Sequence, residues 1–175
     1  PFMVLATQNP IEQEGTYALP EAQLDRFIFK INVGYPNLEE EIAIIDNHNN
    51  RNGALAETMI DAVLTEEELV SYRSKIHEII VDEKIVKYIA EIILNTRSHP
   101  HLYLGGSPRA SIYLFIASKA EALLRGRNYV IPKDVDVIAH DVLRHRLILS
   151  YRAQAEKIDS INIIDEILKV VDFVK

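Results

Sequence analysis

The stretch Ala6-Thr7-Gln8-Asn9-Pro10, with the later segment Leu24-Asp25-Arg26-Phe27, decides how this chain is interpreted. Each lies beside a short apolar run, because residues 2–7 lead into the first and residues 27–33 continue the second. Short continuous apolar runs are typical of buried strands. We therefore predict two strands joined by a loop, with Asn9 and Arg26 at the edge of a sheet.

The rest of the chain carries helix start signals at intervals. Asn37 with Glu40, and Thr65 with Glu68, match the capping box, in which two side chains satisfy the free N–H groups of a helix start. Ser107-Pro108 combines an N-cap residue with proline at the first helical position. The first predicted helix begins at Asn37. The others cover about residues 66–76, 83–97, 108–125, 132–146 and 162–171, with brief extended pieces at 129–131 and 147–151.

These patterns predict a mainly α protein in two parts, with a boundary near Gly34–Pro36. Residues 1–35 form the edge of an α/β core with two strands, and residues 36–175 form an all-helical bundle. A two-stranded sheet is marginal in water, and the chain begins inside the first apolar run. We therefore expect the chain to be a fragment of a larger protein.

Composition excludes several classes of protein. The 175 residues are 48% hydrophobic, which suits a globular fold, and no apolar run approaches the ~20 residues that span a bilayer, so we expect no membrane association. The absence of cysteine excludes disulfides and thiolate metal sites and is compatible with the cytoplasm, where we expect the protein. The net charge of −7 disfavours a broad nucleic-acid-binding surface.

Asn9 and Arg26 carry chemistry suited to a nucleotide site. A side-chain amide at the end of a strand can bond both a phosphate oxygen and a water molecule. A guanidinium can neutralise charge that develops on a phosphoryl group, even across a subunit boundary. Taken singly, each residue also has an ordinary interpretation. Asn9 can start a turn before Pro10, and Arg26 can be a surface cation paired with Asp25 or Glu21.

Arg109 is the second residue of the helix that begins at Ser107-Pro108. The free N–H groups and the dipole of a helix favour an anion at that end and disfavour a cation. A bound anion would offset this cost, and Gly105-Gly106 would let it approach closely. The alternative partner for Arg109 is a carboxylate on a neighbouring helix.

Two further clusters carry weaker signals. His99 and His101 stand close together, but two histidines without further ligands predict no metal site. The run Arg144-His145-Arg146, with Arg152, forms a small basic cluster that could contact a phosphate or a nucleic acid. Cations in the last turn of a helix are the simpler interpretation, because the helix dipole favours them there.

Together these motifs are more specific than any one of them. The segments concerned are Ala6–Pro10, Glu12–Tyr17, Leu19–Phe27, Gly106–Ala110 and Asp141–Arg146. They resemble the MoxR family of AAA+ ATPases, and the resemblance extends over nearly the whole chain. It implies that residues 1–35 are the C-terminal edge of an AAA+ α/β core and that residues 36–175 are the helical AAA+ lid domain.

The resemblance also implies roles for three residues. Asn9 matches sensor 1, which helps to orient water at the γ-phosphate, and Arg26 matches the arginine finger, which acts on nucleotide held by the neighbouring subunit. Arg109 matches sensor 2, which couples nucleotide state to lid position. The family further implies ATP and Mg²⁺ as cofactors and a homo-oligomeric, hexameric ring. It also implies chaperone-like remodelling or maturation of client complexes, often with a von Willebrand A domain protein.

The family's phosphate-binding loop is absent from this sequence. No Gly-x-x-x-x-Gly-Lys-[Ser/Thr] run occurs, and no acidic run at the end of an apolar strand supplies a Walker B motif. We therefore expect the isolated 175 residues neither to hydrolyse ATP nor to bind nucleotide tightly. A rival interpretation is a helical protein-interaction module without nucleotide chemistry.

Overall fold

The computed structural model describes residues 3–8, 19–50, 62–171 and 173. Within these ranges the chain is mainly helical, as predicted, with a short two-stranded sheet. None of the described helices is both long enough and apolar enough to cross a membrane. The elements are α1 (Glu21–Leu24), α2 (Leu38–Asn50), α3 (Glu66–Glu78), α4 (Glu83–Ser98), β1 (Leu102–Leu104), α5 (Pro108–Leu124), α6 (Pro132–Leu143), β2 (Ile148–Leu149), α7 (Tyr151–Ala155) and α8 (Ser160–Val170).

The core lies where α4, α5, α6 and α8 pack together. In α4 the apolar side chains repeat every three or four residues, which places them on one face of the helix, and that face is buried. α5 packs against α6 and α4, and α8 packs against α4 and α6. The completely buried side chains of this core include one from each helix: Ile92, Leu114, Val142 and Ile163.

Local sequence signals set the helix starts as predicted. Asn37 and Glu40 each accept a hydrogen bond from the other's backbone N–H, at 3.0 and 2.8 Å. Thr65 and Glu68 do the same at 3.2 and 2.8 Å, and the Asp82 carboxylate accepts a backbone N–H bond at the start of α4. Each cap satisfies N–H groups that a helix leaves without an internal partner.

The sheet pairs β1 with β2 in antiparallel orientation, with Leu102 opposite Leu149. The sequence predicts an extended piece at 147–151, which contains β2, but a loop at 98–106, which contains β1. A strand of three residues is too short to give a periodic signal, so only its pairing identifies it.

The two strands predicted around the opening stretch are not formed among the described residues, which corrects that prediction. The described residues 3–8 and 27–33 are not paired as strands in the part of the chain that the structure covers. Apart from the half-buried Phe27, their apolar side chains are exposed, with Leu5 81% and Val33 91% accessible. A strand is stable only beside a partner strand, and the described residues provide no partner strand for residues 3–8 or 27–33.

α6 ends at Leu143, three residues earlier than predicted. The turn over residues 144–146 redirects the chain, so that the side chains of His145 and Arg146 reach the segment after α1. The backbone N–H of Lys30 also donates to the carbonyl of Asp141 at 2.9 Å. The end of α6 therefore holds the segment that carries Arg26.

Candidate site around Asp25 and Arg26

Asn9, the residue predicted at the first strand end, lies outside the described residues. The structure places the other two predicted site residues, Arg26 and Arg109, next to Asp25. Arg26 follows Asp25 in the chain, and Arg109 forms an ion pair with it. The candidate site is therefore built around Asp25.

Arg26 has a fixed main chain and an exposed side chain. Its N–H donates to the carbonyl of Gln23 at 3.2 Å, and its carbonyl accepts a hydrogen bond from the Tyr113 hydroxyl at 3.3 Å. Its guanidinium has no hydrogen-bond or ion-pair partner within residues 3–8, 19–50 and 62–171. Neither Asp25 nor Glu21 is its partner, so the ordinary interpretation of Arg26 as a paired surface cation does not hold in this part of the chain.

Arg109 is paired with Asp25. Its Nη1 lies 3.0 Å from Oδ2 of that carboxylate, and the Ser107 hydroxyl donates to both carboxylate oxygens at 3.1 Å. Because Ser107 is used in this way, its side chain does not cap α5. The anion expected at the start of α5 is thus a carboxylate of the chain itself, placed just after α1.

Arg146 forms a second ion pair with Asp25, with Nε 3.0 Å from Oδ1. Its side chain is only 1% exposed. Burial lowers the pKa of Arg146, while the hydrogen bond and the charge of Asp25 act in the opposite direction. The remaining acceptors of its guanidinium are the main-chain carbonyls of Asp25, Phe27, Ile28 and Val142.

His145 adds a contact to the same segment. Its Nε2 lies 3.0 Å from the carbonyl oxygen of Phe27, a geometry in which Nε2–H donates. Burial lowers the pKa of His145 to about 4, and the nearby charge of Arg146 acts in the same direction. At neutral pH the ring is therefore uncharged and serves as a hydrogen-bond donor to the main chain.

The sequence did not identify Asp25 or Arg146 as site residues. It indicated Asp25 only as a partner for Arg26, and it placed Arg146 in a basic cluster. The other arginines of that cluster are also neutralised within the chain: Arg144 lies 2.7 Å from Asp141, and Arg152 lies 2.9 Å from Glu156. One signal was available in the sequence. Arg146 is followed directly by the apolar run 147–149, where a buried cation without a partner would be costly.

Gly105 and Gly106 support packing of the chain against α4. A Cβ atom at Gly105 would lie 2.6 Å from the backbone of Thr96 and Arg97. The N–H of Gly106 donates to the Thr96 hydroxyl at 2.8 Å, and Arg97 Nε donates to the carbonyl of Gly106 at 2.9 Å. The close approach that these glycines allow is to the end of α4.

The histidine pair lies beside α8. His99 Nε2 lies 3.5 Å from the Glu166 carboxylate, and the rings of His99 and His101 are 5.7 Å apart. Over the described ranges, no group of three or more His, Asp and Glu side chains is placed to hold a metal ion. The chemistry that the described residues offer is therefore cationic, at Arg26 and Arg109.

Two family models match this chain in regions that contain the site. The model described as the AAA lid domain matches residues 94–167, which include Arg109 and Arg146. The model described as the ATPase family associated with various cellular activities (AAA) matches residues 1–29, which include Arg26.

Curated relatives share much of the sequence. The chain is 43% identical over 171 residues to the uncharacterized protein YeaC of Bacillus subtilis, an alignment covering 98% of this chain and 52% of that protein. It is 42% identical over 180 residues to the chaperone MoxR1 of Mycobacterium tuberculosis, covering 98% of this chain and 46% of the relative. The chain thus spans about half the length of the curated relatives it matches.

A solved structure shares the fold. The crystal structure of a protein from Cytophaga hutchinsonii, provisionally described as an ATPase, matches with a TM-score of 0.91 at 38% sequence identity. The match covers 100% of this chain and 55% of that protein. The arrangement of α1 to α8 is therefore that of the corresponding half of the solved protein.

Proposed function

We propose that this chain, which belongs to the MoxR-like AAA+ ATPases, supplies the arginine finger and the lid of an ATP-hydrolysing, chaperone-like ring. In this proposal residues 1–35 are the edge of the AAA+ core and residues 36–175 are the lid. The matches at residues 1–29 and 94–167 support that division. ATP and Mg²⁺ are the cofactors of the intact ATPase.

The observation that carries the proposal is the state of Arg26. Its main chain is held at both the N–H and the carbonyl, while its guanidinium is exposed and has no partner within the described ranges. An arginine finger needs this combination, because it must reach charge that develops on nucleotide bound by another subunit. Arg109 and Arg146, in contrast, are already paired with Asp25.

Arg109 is proposed as sensor 2, which binds the nucleotide and couples it to lid position. Its ion pair with Asp25 is part exposed, with 44% of the Arg109 side chain accessible. A part-exposed pair of this kind contributes only about 0–1 kcal/mol, so a phosphate with greater charge can compete for the guanidinium. Asn9 is proposed as sensor 1 on its motif alone, since it lies outside the described residues.

A finger that acts in trans requires a homo-oligomer, and we propose the hexameric ring of the AAA+ ATPases. Movement of the lid against the core then remodels a bound client complex, with a von Willebrand A domain protein as a further partner. One relative is named a chaperone, which supports the remodelling role. The cytoplasm is the proposed location.

The test is ATP turnover by the intact ATPase that contains this chain. Arg26→Ala is expected to lower kcat by about 10³-fold or more with little change in ATP affinity, because the finger acts on the transition state. Arg109→Ala is expected to weaken ATP binding. Arg152→Ala is the control, because Arg152 is exposed and paired locally with Glu156.

Two outcomes would contradict the proposal. Loss of ATP binding with unchanged turnover in Arg26→Ala is incompatible with a finger. Measurable turnover by the isolated 175 residues, abolished by Arg26→Ala, is incompatible with the proposal that this chain alone lacks ATPase activity.

The second candidate is a helical interaction module without nucleotide chemistry. It is favoured by the apolar face of α2, on which Leu38, Ile42 and Ile45 are 77%, 51% and 64% exposed. The absence of both ATP binding and turnover in the intact protein would favour this module over an ATPase.

A further inference from the structure

The segment that carries Arg26 is tied to the lid helices by contacts that the proposed function does not use. We call residues 25–30 the finger segment. The lid groups that bond its main chain are the Tyr113 hydroxyl (to Arg26 O, 3.3 Å), His145 Nε2 (to Phe27 O, 3.0 Å), Asp141 O (from Lys30 N, 2.9 Å) and the Arg146 guanidinium.

The Arg146 guanidinium uses all five of its N–H donors, and four of them go to the finger segment. Nε donates to the Asp25 carboxylate, Nη2 donates to the carbonyls of Asp25 and Phe27, and Nη1 donates to the carbonyl of Ile28. The fifth N–H donates to Val142 of α6. Only arginine offers five donors in one rigid plane, so lysine cannot reproduce this set.

The same guanidinium is anchored firmly in the lid. It stacks on the ring of Tyr113 from α5, with its central carbon 5.0 Å from the ring centroid. Its neighbours in sequence and space, Val142, Leu143 and Leu147, belong to the buried core. A displacement of α5 and α6 therefore carries Arg146 with it.

The finger segment has little apolar anchoring of its own among the described residues. Ile28 and Phe29 are both 43% exposed. Its polar contacts with α5 and the end of α6 therefore fix its position, and Arg26 lies between two of the residues that Arg146 holds.

We propose that Arg146, through Asp25 and the carbonyls of the finger segment, is the positioning residue for Arg26, so that the finger segment follows the lid when the lid moves against the rest of the core. This inference rests on the proposed role of Arg26. It follows that the lid of one subunit sets the finger presented to its neighbour's nucleotide. Nucleotide state in one site is thereby transmitted to the next site around the ring.

The test is a subunit-mixing assay on the intact ATPase, with ATP as the probe. Arg146→Lys retains the charge but loses most of the donors, and it is expected to lower kcat by about 10²-fold with little change in KM, because small misplacements of a catalytic group have effects of that size. The matched control is Arg144→Lys, since Arg144 lies two residues away and its partners in the described part of the chain are Asp141 and the carbonyl of His140. It is expected to retain normal turnover.

Mixing distinguishes positioning from a structural defect. Arg146→Lys subunits are mixed with subunits that keep an intact finger but cannot bind ATP. If Arg146 acts through the finger, the partners supply working fingers in trans and turnover is restored, as it is for Arg26→Ala subunits mixed in the same way. If Arg146 only maintains its own subunit, mixing restores nothing, and that result would overturn the inference.

A milder variant covers the case in which Arg146→Lys does not assemble. Tyr113→Leu removes the ring on which the Arg146 guanidinium stacks, together with the hydroxyl that bonds Arg26 O, and is expected to lower kcat a few-fold, restored by the same mixing. Failure of mixing to restore Tyr113→Leu, or an unchanged kcat in it, would overturn the inference while Arg26→Ala still shows its loss. An unchanged kcat in Arg26→Ala would instead overturn the proposed function, and this inference with it.

Discussion

Residues 19–50 and the helices from α4 onward bury their apolar side chains to very different extents. In α2 the side chains of Leu38 and Ile45 are 77% and 64% exposed, whereas Ile92 and Leu114 in α4 and α5 are completely buried. We call residues 19–50 the N-terminal region and residues 79–171 the lid core. The comparison shows that the described N-terminal region has no apolar core of its own.

The order of the finger segment therefore comes from polar contacts with the lid core. Asp25 is the centre of these contacts, since Ser107, Arg109 and Arg146 all bond its carboxylate. Hydrogen bonds that involve a charged group are stronger than neutral ones, and burial of Arg146 reduces the competition from water. Arg26, the proposed finger, is thus held without an apolar anchor among the described residues, provided that the lid core is intact.

The largest expected difference between the two regions is in the effect of removing an apolar side chain. Leu114→Ala leaves a cavity in the lid core and is expected to lower the free energy of unfolding by about 3–4 kcal/mol. Ile42→Ala, at a side chain that is 51% exposed, is expected to change it by less than about 0.5 kcal/mol. Urea unfolding followed by circular dichroism measures both, and equal losses would show that α2 is packed in solution.

A glycine in each region gives the next test. Gly105→Ala places a Cβ atom 2.6 Å from backbone atoms at the end of α4, so the backbone must move, and we expect a loss of about 2–3 kcal/mol. Gly34→Ala meets nothing within 4 Å and is expected to be neutral or slightly stabilising. Thermal unfolding of the two variants tests the contrast, which fails if Gly34→Ala is the more harmful.

The contact between the two regions is expected to depend on pH through His145. Its pKa is about 4 in the folded protein and about 6.5 in the unfolded chain, so between these values the unfolded chain binds more protons. Stability from this group is complete above pH 6.5 and is lost as the pH falls towards 4, by about 1–2 kcal/mol after allowance for solvent screening.

The matched variant for this dependence is His145→Gln, which keeps an N–H donor for the Phe27 carbonyl but does not titrate. The free energy of unfolding, measured by urea titration at several pH values, is expected to fall less steeply below pH 6.5 in the variant. Parallel pH profiles for the two proteins would show that His145 is not the group responsible.

The sequence predicted those helix starts and ends that depend on neighbouring residues. The capping boxes at Asn37 and Thr65 were predicted correctly because each needs only two residues three positions apart. The end of α5 was predicted for a similar reason, since Gly126 adopts the positive φ, 72°, that favours glycine. Local chemistry is sufficient wherever the partners lie within one helical turn.

The sequence could not predict contacts and strands that depend on partners far away in the chain. Asp25 and Arg146 are 121 positions apart, and no periodic pattern connects them. The strands expected at residues 2–7 and 27–33 were inferred from apolar runs, but a strand also requires a partner, which an apolar run does not specify. β1 and α7 were missed because elements of three and five residues give no periodic signal.

The smallest expected effect tests whether identical local signals have the same consequence in α2, which lies in the N-terminal region, and in α3, which packs against the lid core. Thr65→Ala removes the cap of α3, which packs against α5, and is expected to lower the free energy of unfolding by about 1 kcal/mol. Asn37→Ala removes the matching cap of α2, whose described side chains are exposed, so it is expected to reduce helix content by circular dichroism without moving the main unfolding transition. A matching shift of that transition in both variants would mean that α2 unfolds together with the lid core, and the N-terminal region would then share the stability of the lid core as well as its polar contacts.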